Sequence, residues 1–229
     1  MQKFAIIVAG GSGSRMKSDI PKQYLPIANR PILIHTVEKF LQIEHIQVIL
    51  AIPAHDFEVW ENLVAQESSD SLVVKKKEAI KLVAGGATRF QSVRNGLLSI
   101  EATEGLVAVH DGVRPLITTE IIENSYQIAA EKITAVTSVP LKDSARIINK
   151  DGSNKSIDRT QLRLMQTPQT FQLNEMRKAF QSPEQPFFTD CASVFEFAGY
   201  TITLIDGIYE NIKVTTPEDL ILAEAFLRK

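Results

Sequence analysis

The chain alternates short apolar runs, which end in glycine or charged residues, with longer amphipathic stretches. The first run, FAIIVA (residues 4–9), is partly β-branched and is followed by glycines, which is typical of a buried strand. The same reasoning predicts strands at residues 45–53, 79–86, 106–112, 134–140 and 200–206, and helices at residues 31–41, 55–66, 88–100, 119–132 and 216–229. This alternation predicts an α/β fold, with a mostly parallel sheet and helices on both faces.

Composition limits the size of the fold and the class of partner. With 229 residues, 44% of them hydrophobic, the chain can build one sizeable core, so we expect a single domain over residues 1–229. A net charge of −2 gives no sign of a nucleic-acid or membrane partner. The single cysteine, Cys191, rules out an internal disulfide, and the N-terminal apolar run is too short for a signal peptide. We therefore expect a cytoplasmic protein.

Residues 141–160 break the alternation of strands and helices. Two short strand patterns, ARIIN and KSIDR, flank Asp151-Gly152-Ser153-Asn154, which is a hairpin signal. We expect this segment to protrude as an arm. Because an isolated two-stranded hairpin is marginally stable in water, the arm predicts a partner, most simply a second copy of the chain.

The glycine-rich loop after the first strand resembles neither common phosphate-binding fingerprint. In AGGSGSRM (residues 9–16), Arg15 stands five positions after Gly10, where a Walker loop needs glycine, and Met16 stands where a dinucleotide fingerprint needs glycine. Small residues still allow backbone N–H groups to approach an anion, and Arg15 and Lys22 add two cations. The loop is either a cradle for a polyphosphate or a tight turn with solvated cations.

A second candidate site lies at the end of the strand predicted at residues 106–112. Asp111 follows a buried apolar run, where an uncompensated carboxylate is costly. It either binds Mg²⁺ together with substrate phosphates or forms a salt bridge with Arg114. Ligands of parallel sheets bind beyond the carboxyl ends of the strands, so residues 9–22, Gly85-Gly86 and His110-Asp111 are expected along one edge.

Several sequence blocks together resemble one enzyme family in order. They are AGGSGSRM with PKQYL, GGATRFQSVRNGL (residues 85–97), VHDGVRP (109–115), DR (158–159), QTPQTF (166–171), TD (189–190) and NIKVTTPEDL (211–220). The chain resembles the 2-C-methyl-D-erythritol 4-phosphate cytidylyltransferases of the non-mevalonate isoprenoid pathway. The resemblance implies a Rossmann-like nucleotidyltransferase fold and a homodimer with a shared active site, joined by an arm.

The resemblance also implies a reaction and the roles of its residues. CTP and methylerythritol phosphate would give the CDP-linked alcohol and pyrophosphate, by in-line attack on the α-phosphate with Mg²⁺. The implied roles are transition-state stabilisation by Arg15 and Lys22, positioning of the acceptor phosphate by Arg159 and Lys213, metal binding by Asp111, nucleotide binding by Ala9, Gly10, Gly11, Gly86 and Ser92, and acceptor binding by Ser144, where threonine is common in the family.

Three alternatives remain at this point. Ribitol-5-phosphate cytidylyltransferases have the same overall fold and use the same nucleotide. Because the glycine-rich loop contacts only CTP, it does not distinguish ribitol 5-phosphate from methylerythritol phosphate as the acceptor. A sugar-1-phosphate nucleotidyltransferase would use UTP or GTP, and its glycine loop is typically longer. A non-catalytic nucleotide sensor would bind CTP without releasing pyrophosphate, and the four separate cations argue against it.

Overall fold

The computed structural model describes residues 1–228 except residues 12–15, 17 and 19. Its strands are β1 (Lys3–Val8), β2 (Pro26–Ile27), β3 (Arg30–Pro31), β4 (Ile46–Ile52), β5 (Ile80–Ala84), β6 (Leu106–Asp111), β7 (Thr134–Pro140), β8 (Ala145–Ile148), β9 (Asn154–Ile157), β10 (Arg163–Gln172) and β11 (Leu204–Asp206). Its α-helices are α1 (Ile32–Leu41), α2 (Phe57–Gln66), α3 (Leu72–Lys75), α4 (Arg89–Leu98), α5 (Thr119–Lys132), α6 (Leu173–Ala179), α7 (Cys191–Phe197) and α8 (Pro217–Leu227).

Seven of the described strands form one twisted sheet in the order β11-β7-β10-β6-β1-β4-β5. The pairs β6-β1, β1-β4, β4-β5 and β11-β7 are parallel, as the alternation of strands and helices predicts. Strand β10 was not predicted, and it runs antiparallel between β6 and β7. The sheet is therefore mixed: β10 is antiparallel to both of its neighbours, and the strand pairs on either side of it are parallel as predicted.

Side chains of the central strands alternate between two cores, which explains why these strands are apolar throughout. Ala5 and Ile7 of β1 face a core that contains residues of α1 and α5. Phe4 and Ile6 face the opposite core, built with residues of α4, α6 and α7. Because both faces of the sheet are covered, its functional groups are confined to the ends of the strands.

Two helices next to the site begin at N-termini that are capped by threonine side chains. The Thr88 hydroxyl accepts a hydrogen bond from the Gln91 backbone N–H at the start of α4. At the start of α8, Thr216 and Asp219 form a reciprocal capping box. These caps fix the chain direction just after residues 85–87 and just after residues 211–214, which are both close to the candidate site.

Strands β8 and β9 form a separate antiparallel hairpin within residues 141–160, as predicted. Gly152 in its turn has a φ of +82°, a conformation that favours glycine. Ile147 and Ile148 are 49% and 67% exposed, so the hairpin leaves apolar side chains uncovered in the single chain. This arm lies outside the two main cores.

Among the described residues, no helix is both long enough and apolar enough to cross a membrane.

Candidate active site

A pocket opens at the carboxyl ends of the parallel strands, where the sequence predicted a ligand site. Val8, the last residue of β1, pairs with Asp111, the last residue of β6. The backbone N–H of Gly112 then donates to the Val8 carbonyl at 2.9 Å, and a Cβ on Gly112 would lie only 2.7 Å from the Ala9 Cβ. The two strand ends are therefore packed tightly together, with Ala9, Gly10 and Gly11 on the pocket wall.

Lys22 reaches the pocket from a short 3₁₀ turn, Lys22–Tyr24. Tyr24 anchors this turn, because its hydroxyl donates to Asp56 Oδ2 at 3.0 Å in a buried position. A Cβ built on Gly11 would lie 3.6 Å from both Cε and Nζ of Lys22. The ammonium group therefore lies against the glycine backbone, in the place expected for a cation that serves an anion in this loop.

The opposite wall is formed by residues 86–89 and Ser92 at the start of α4. The Gly86 backbone N–H donates to Ser92 Oγ at 3.0 Å, and that hydroxyl donates to the Thr88 carbonyl at 2.9 Å. A Cβ on Gly86 would lie 2.3 Å from the Gln91 Cβ. Ser92 thus shapes this wall with its own hydroxyl, and glycine is the residue that fits at position 86.

Asp111 lies at the base of the pocket and contacts three cations. Its Oδ1 is 3.5 Å from Arg89 Nε, and its Oδ2 is 3.2 Å from Arg114 Nε and 3.0 Å from Lys213 Nζ. Burial raises the pKa of Asp111, but Arg89, Lys213 and Arg114 outweigh it and hold that pKa well below its usual range. The carboxylate is therefore ionised, and its surroundings carry a net positive charge suited to a polyanion.

A second layer of polar groups holds this cluster in place. The Asp111 backbone N–H donates to Thr167 Oγ1 at 3.1 Å, and Arg114 Nη1 donates to the Asn211 carbonyl at 2.8 Å. Asn211 is fully buried, and its side-chain amide donates to the Thr167 carbonyl at 2.9 Å. Strand β10 and the segment that carries Lys213 are thereby joined behind Asp111.

The pocket fits a divalent cation only if the ion arrives with a phosphate ligand. Asp111 is the one carboxylate among the described residues that line the pocket. Across the described part of the chain, no group of three or more His, Cys, Asp or Glu side chains could hold a metal. Mg²⁺ is commonly bound by one or two carboxylates together with substrate phosphates, and the donor set here matches that arrangement.

Most of the predicted site residues that the structure describes line this one pocket. They are Ala9, Gly10, Gly11, Lys22, Gly86, Ser92, Asp111 and Lys213. Arg159 and Ser144 do not line it in the single chain: both are exposed on the arm segment, where Arg159 donates to the Lys142 carbonyl. Arg15 lies outside the described residues.

The sequence reasoning missed Arg89, the first residue of α4. It lines the pocket and pairs with Asp111, and its Nη1 donates to Cys191 Sγ at 3.2 Å. It stands within the block GGATRFQSVRNGL, so a signal was present, but nothing local separates it from an ordinary helical arginine. Only the packing of α4 against β1 and β4 brings it to the carboxylate at the end of the neighbouring strand β6.

Comparison with known proteins identifies the family. A sequence profile of the 2-C-methyl-D-erythritol 4-phosphate cytidylyltransferase family matches residues 3–229. The chain belongs to this family. It is 41% identical to the 2-C-methyl-D-erythritol 4-phosphate cytidylyltransferase of Bacteroides thetaiotaomicron, over 99% of this chain and 100% of the relative. The corresponding protein of Alkaliphilus metalliredigens is 40% identical, over 98% of this chain and 92% of the relative.

Solved structures of the family share the fold. The 4-diphosphocytidyl-2C-methyl-D-erythritol synthase of Anaerococcus prevotii superposes with a TM-score of 0.83 at 28% identity, covering 100% of this chain and 96% of that one. The 2-C-methyl-D-erythritol 4-phosphate cytidylyltransferase of Francisella tularensis gives 0.77 at 29% identity, covering 98% and 99%. The family resemblance seen in the sequence is confirmed, and the chain is an enzyme of the nucleotidyltransferase class.

Proposed function

We propose that this enzyme transfers the cytidylyl group of CTP to 2-C-methyl-D-erythritol 4-phosphate and releases pyrophosphate, in the non-mevalonate isoprenoid pathway. The observation that carries the proposal is the pocket in which Lys22 and Lys213 lie beside a glycine loop and a strand-end carboxylate. Family membership supports the same substrates, because the relatives are named for this reaction.

The chemistry of the acceptor explains why cations, and no general base, line the pocket. A phosphate monoester is largely dianionic at neutral pH and needs no deprotonation before it attacks. The described residues that line the pocket include no histidine or cysteine. The main obstacle is repulsion between the acceptor dianion and the triphosphate, so catalysis consists of neutralising charge and aligning the reacting groups in line.

The cations divide between the two substrates. Lys22 and Arg15 would stabilise the charge that develops at the α-phosphate, where preorganised groups typically contribute about 3 to 4 kcal/mol each. Lys213 would hold the acceptor phosphate. Asp111 would hold a Mg²⁺ that neutralises the triphosphate and helps to orient it.

The arm supports a homodimer with a shared active site. Arg159 and Ser144, which the family resemblance assigns to the acceptor, lie outside the pocket of their own chain. Exposed Ile147 and Ile148 give the arm an apolar surface on which a second copy could pack. Each arm would then deliver Arg159 to the pocket of its partner.

The direct test is pyrophosphate release from CTP, UTP and GTP, each combined with methylerythritol phosphate, ribitol 5-phosphate or no acceptor. We expect release with CTP and methylerythritol phosphate at least about tenfold faster than with any other pair. Faster turnover of ribitol 5-phosphate would overturn the acceptor assignment. CTP binding without pyrophosphate release under every condition would overturn the catalytic role.

A further inference from the structure

Stability of the fold does not account for Arg89 at its position. It is the first residue of α4, where the helix dipole disfavours a cation. Its Nη2 is buried and has no hydrogen-bond partner among the described residues. A buried donor without a partner destabilises the folded state. Both features are unfavourable, so the arginine is expected to serve another purpose.

The contacts of Arg89 point to the carboxylate of Asp111. Arg89 Nε approaches Oδ1 at 3.5 Å, while Lys213 Nζ and Arg114 Nε both approach Oδ2, at 3.0 and 3.2 Å. A carboxylate that is held at one oxygen can still rotate about its Cβ–Cγ bond, because that torsion is broad. A contact at the other oxygen opposes this rotation, and Arg89 supplies it.

The guanidinium is itself held from a second helix. Its Nη1 donates to Cys191 Sγ at 3.2 Å, and Cys191 is the fully buried first residue of α7. The Cys191 backbone N–H donates to Gln169 Oε1 at 2.9 Å, which ties that helix to β10. Arg89 thus connects Oδ1 of the carboxylate to the buried start of α7, while Lys213 contacts the other oxygen, Oδ2.

We propose that Arg89 is a positioning residue that fixes the Asp111 carboxylate in the orientation that the nucleotide site requires. The inference rests on the proposed function, because it assigns Asp111 to nucleotide binding. It makes a specific prediction about coupling: Arg89 acts through Asp111, so its loss matters only while the carboxylate is present.

A double-mutant cycle tests this coupling with Arg89→Met, Asp111→Asn and the double variant. Calorimetry would give the dissociation constant of CTP with Mg²⁺, and pyrophosphate release would give kcat and KM. Loss of a second-layer contact typically costs about tenfold to hundredfold in affinity or activity, so we expect Arg89→Met to weaken CTP binding by about tenfold or more. In the Asp111→Asn background, the further loss should be less than about twofold.

Thermal unfolding separates positioning from a purely structural role. Removing one partner of a buried ion pair is usually destabilising, but Asp111 keeps Arg114 and Lys213, and the variant also removes the Nη2 donor that has no partner among the described residues. The melting temperature of Arg89→Met should therefore fall by no more than a few degrees. If Arg89→Met weakens CTP binding by the same factor in the wild-type protein and in the Asp111→Asn variant, the proposal is overturned. A lowered melting temperature with unchanged CTP affinity and kcat/KM would also overturn it.

Two further variants complete the design. Arg177→Met is the matched control, because the Arg177 guanidinium donates to the Ala102 carbonyl at 2.7 Å and to the Ile100 carbonyl, away from the pocket; it should leave CTP affinity unchanged. Arg89→Lys keeps the charge and should recover part of the affinity. If Arg89→Met does not fold, the same cycle is run with Arg89→Lys, and additivity there contradicts the proposal.

The wild-type protein distinguishes failure of this inference from failure of the proposed function. If the wild-type enzyme releases pyrophosphate but the effects of Arg89→Met and Asp111→Asn on CTP affinity are additive, only the positioning role of Arg89 is contradicted. Absence of wild-type pyrophosphate release contradicts the proposed reaction. In that case the CTP dissociation constants alone decide whether Arg89 and Asp111 are coupled.

Discussion

Gly86→Ala is the substitution whose effect the structure constrains most closely. The new Cβ would lie 2.3 Å from the Gln91 Cβ, whereas ordinary contacts begin at 3.4 Å. Since the Gln91 Cβ belongs to the first turn of α4, no flexible side-chain end can move aside. The rim of the pocket must therefore shift by about 1 Å, and a misplacement of that size can cost about a hundredfold in rate.

The same clash also sets the expected loss of stability. Overpacking typically costs about 1 to 3 kcal/mol, which corresponds to a decrease in melting temperature of about 2 to 12 °C for a chain of this size. The assays are thermal unfolding by circular dichroism, the CTP dissociation constant by calorimetry, and kcat/KM from pyrophosphate release. We expect CTP binding to weaken by about tenfold or more.

Gly96→Ala is the matched control at the far end of the same helix. Its Cβ would lie 2.8 Å from Ile6 Cγ2 in the core, so it should change stability without weakening CTP binding. If Gly86→Ala keeps wild-type CTP affinity and kcat/KM, the rim at residues 85–88 does not form the nucleotide site, and the reasoning is refuted. Equal weakening by both variants would also refute it, because the effect would then not be local.

Three further predictions concern the chemistry, the fold and the assembly. Lys22→Ala should lower kcat by about a hundredfold with little change in CTP affinity, and a normal kcat with only a raised KM would contradict its transition-state role. Glu38 accepts hydrogen bonds from Arg30 Nη1 at 2.9 Å, from Ser71 Oγ and from the Leu72 backbone N–H. Burial raises the pKa of Glu38, but these partners outweigh burial and hold that pKa below its usual 4.5. Glu38→Gln should therefore cost about 2 kcal/mol in urea unfolding at pH 7. Because the pKa of Glu38 is lower in the folded than in the unfolded state, the difference in free energy of unfolding between the wild type and Glu38→Gln should shrink as the pH falls below about 4.5. A difference that does not depend on pH would contradict the ion-pair explanation. Light scattering should give the mass of the proposed dimer for the wild-type enzyme and that of a monomer for Ile148→Asp on the arm, and equal masses for the two proteins would exclude the arm as the interface.

Sequence reasoning predicted the parts of the fold that are marked by a local pattern of apolar residues. Strands β1, β4 and β6 are nearly continuous apolar runs, and α4 and α8 begin within one residue of the predicted helix starts at 88 and 216. Because parallel strands place their carboxyl ends along one edge, the rule that ligands bind there predicted one site for residues 9–22, 85–86 and 110–111 without knowledge of the strand order. Of the described residues in these ranges, 9–11, 22, 86 and 111 line one pocket.

Strand β10 escaped prediction because its buried residues are largely polar. Gln169 is buried, yet its side chain donates to Asp190 Oδ2 at 2.8 Å and accepts from the Cys191 backbone N–H. Thr170 is buried as well, and its hydroxyl is 2.8 Å from Ser125 Oγ on α5. These partners are distant in sequence, so no local pattern shows that the polar groups can be buried.

Arg89 escaped prediction for a related reason. Its partner, Asp111, is supplied by a different strand, and its other contact, Cys191, comes from about a hundred residues further along the chain. The resemblance to a family carried the assignments of Arg159 and Ser144, and these two remain predictions because a single chain does not bring them to the pocket. Sequence reasoning thus located the site, while tertiary packing determined which charges meet there.

The most direct test of the account is a crystal structure of the enzyme with CTP and Mg²⁺. The central claim is that positive charge at the carboxyl ends of β1 and β6 holds the triphosphate for attack at its α-phosphorus. We predict that Lys22 Nζ lies within about 3 Å of an oxygen of the triphosphate, with the ion bound to Asp111. A triphosphate that points away from Lys22 and Asp111 would contradict the claim.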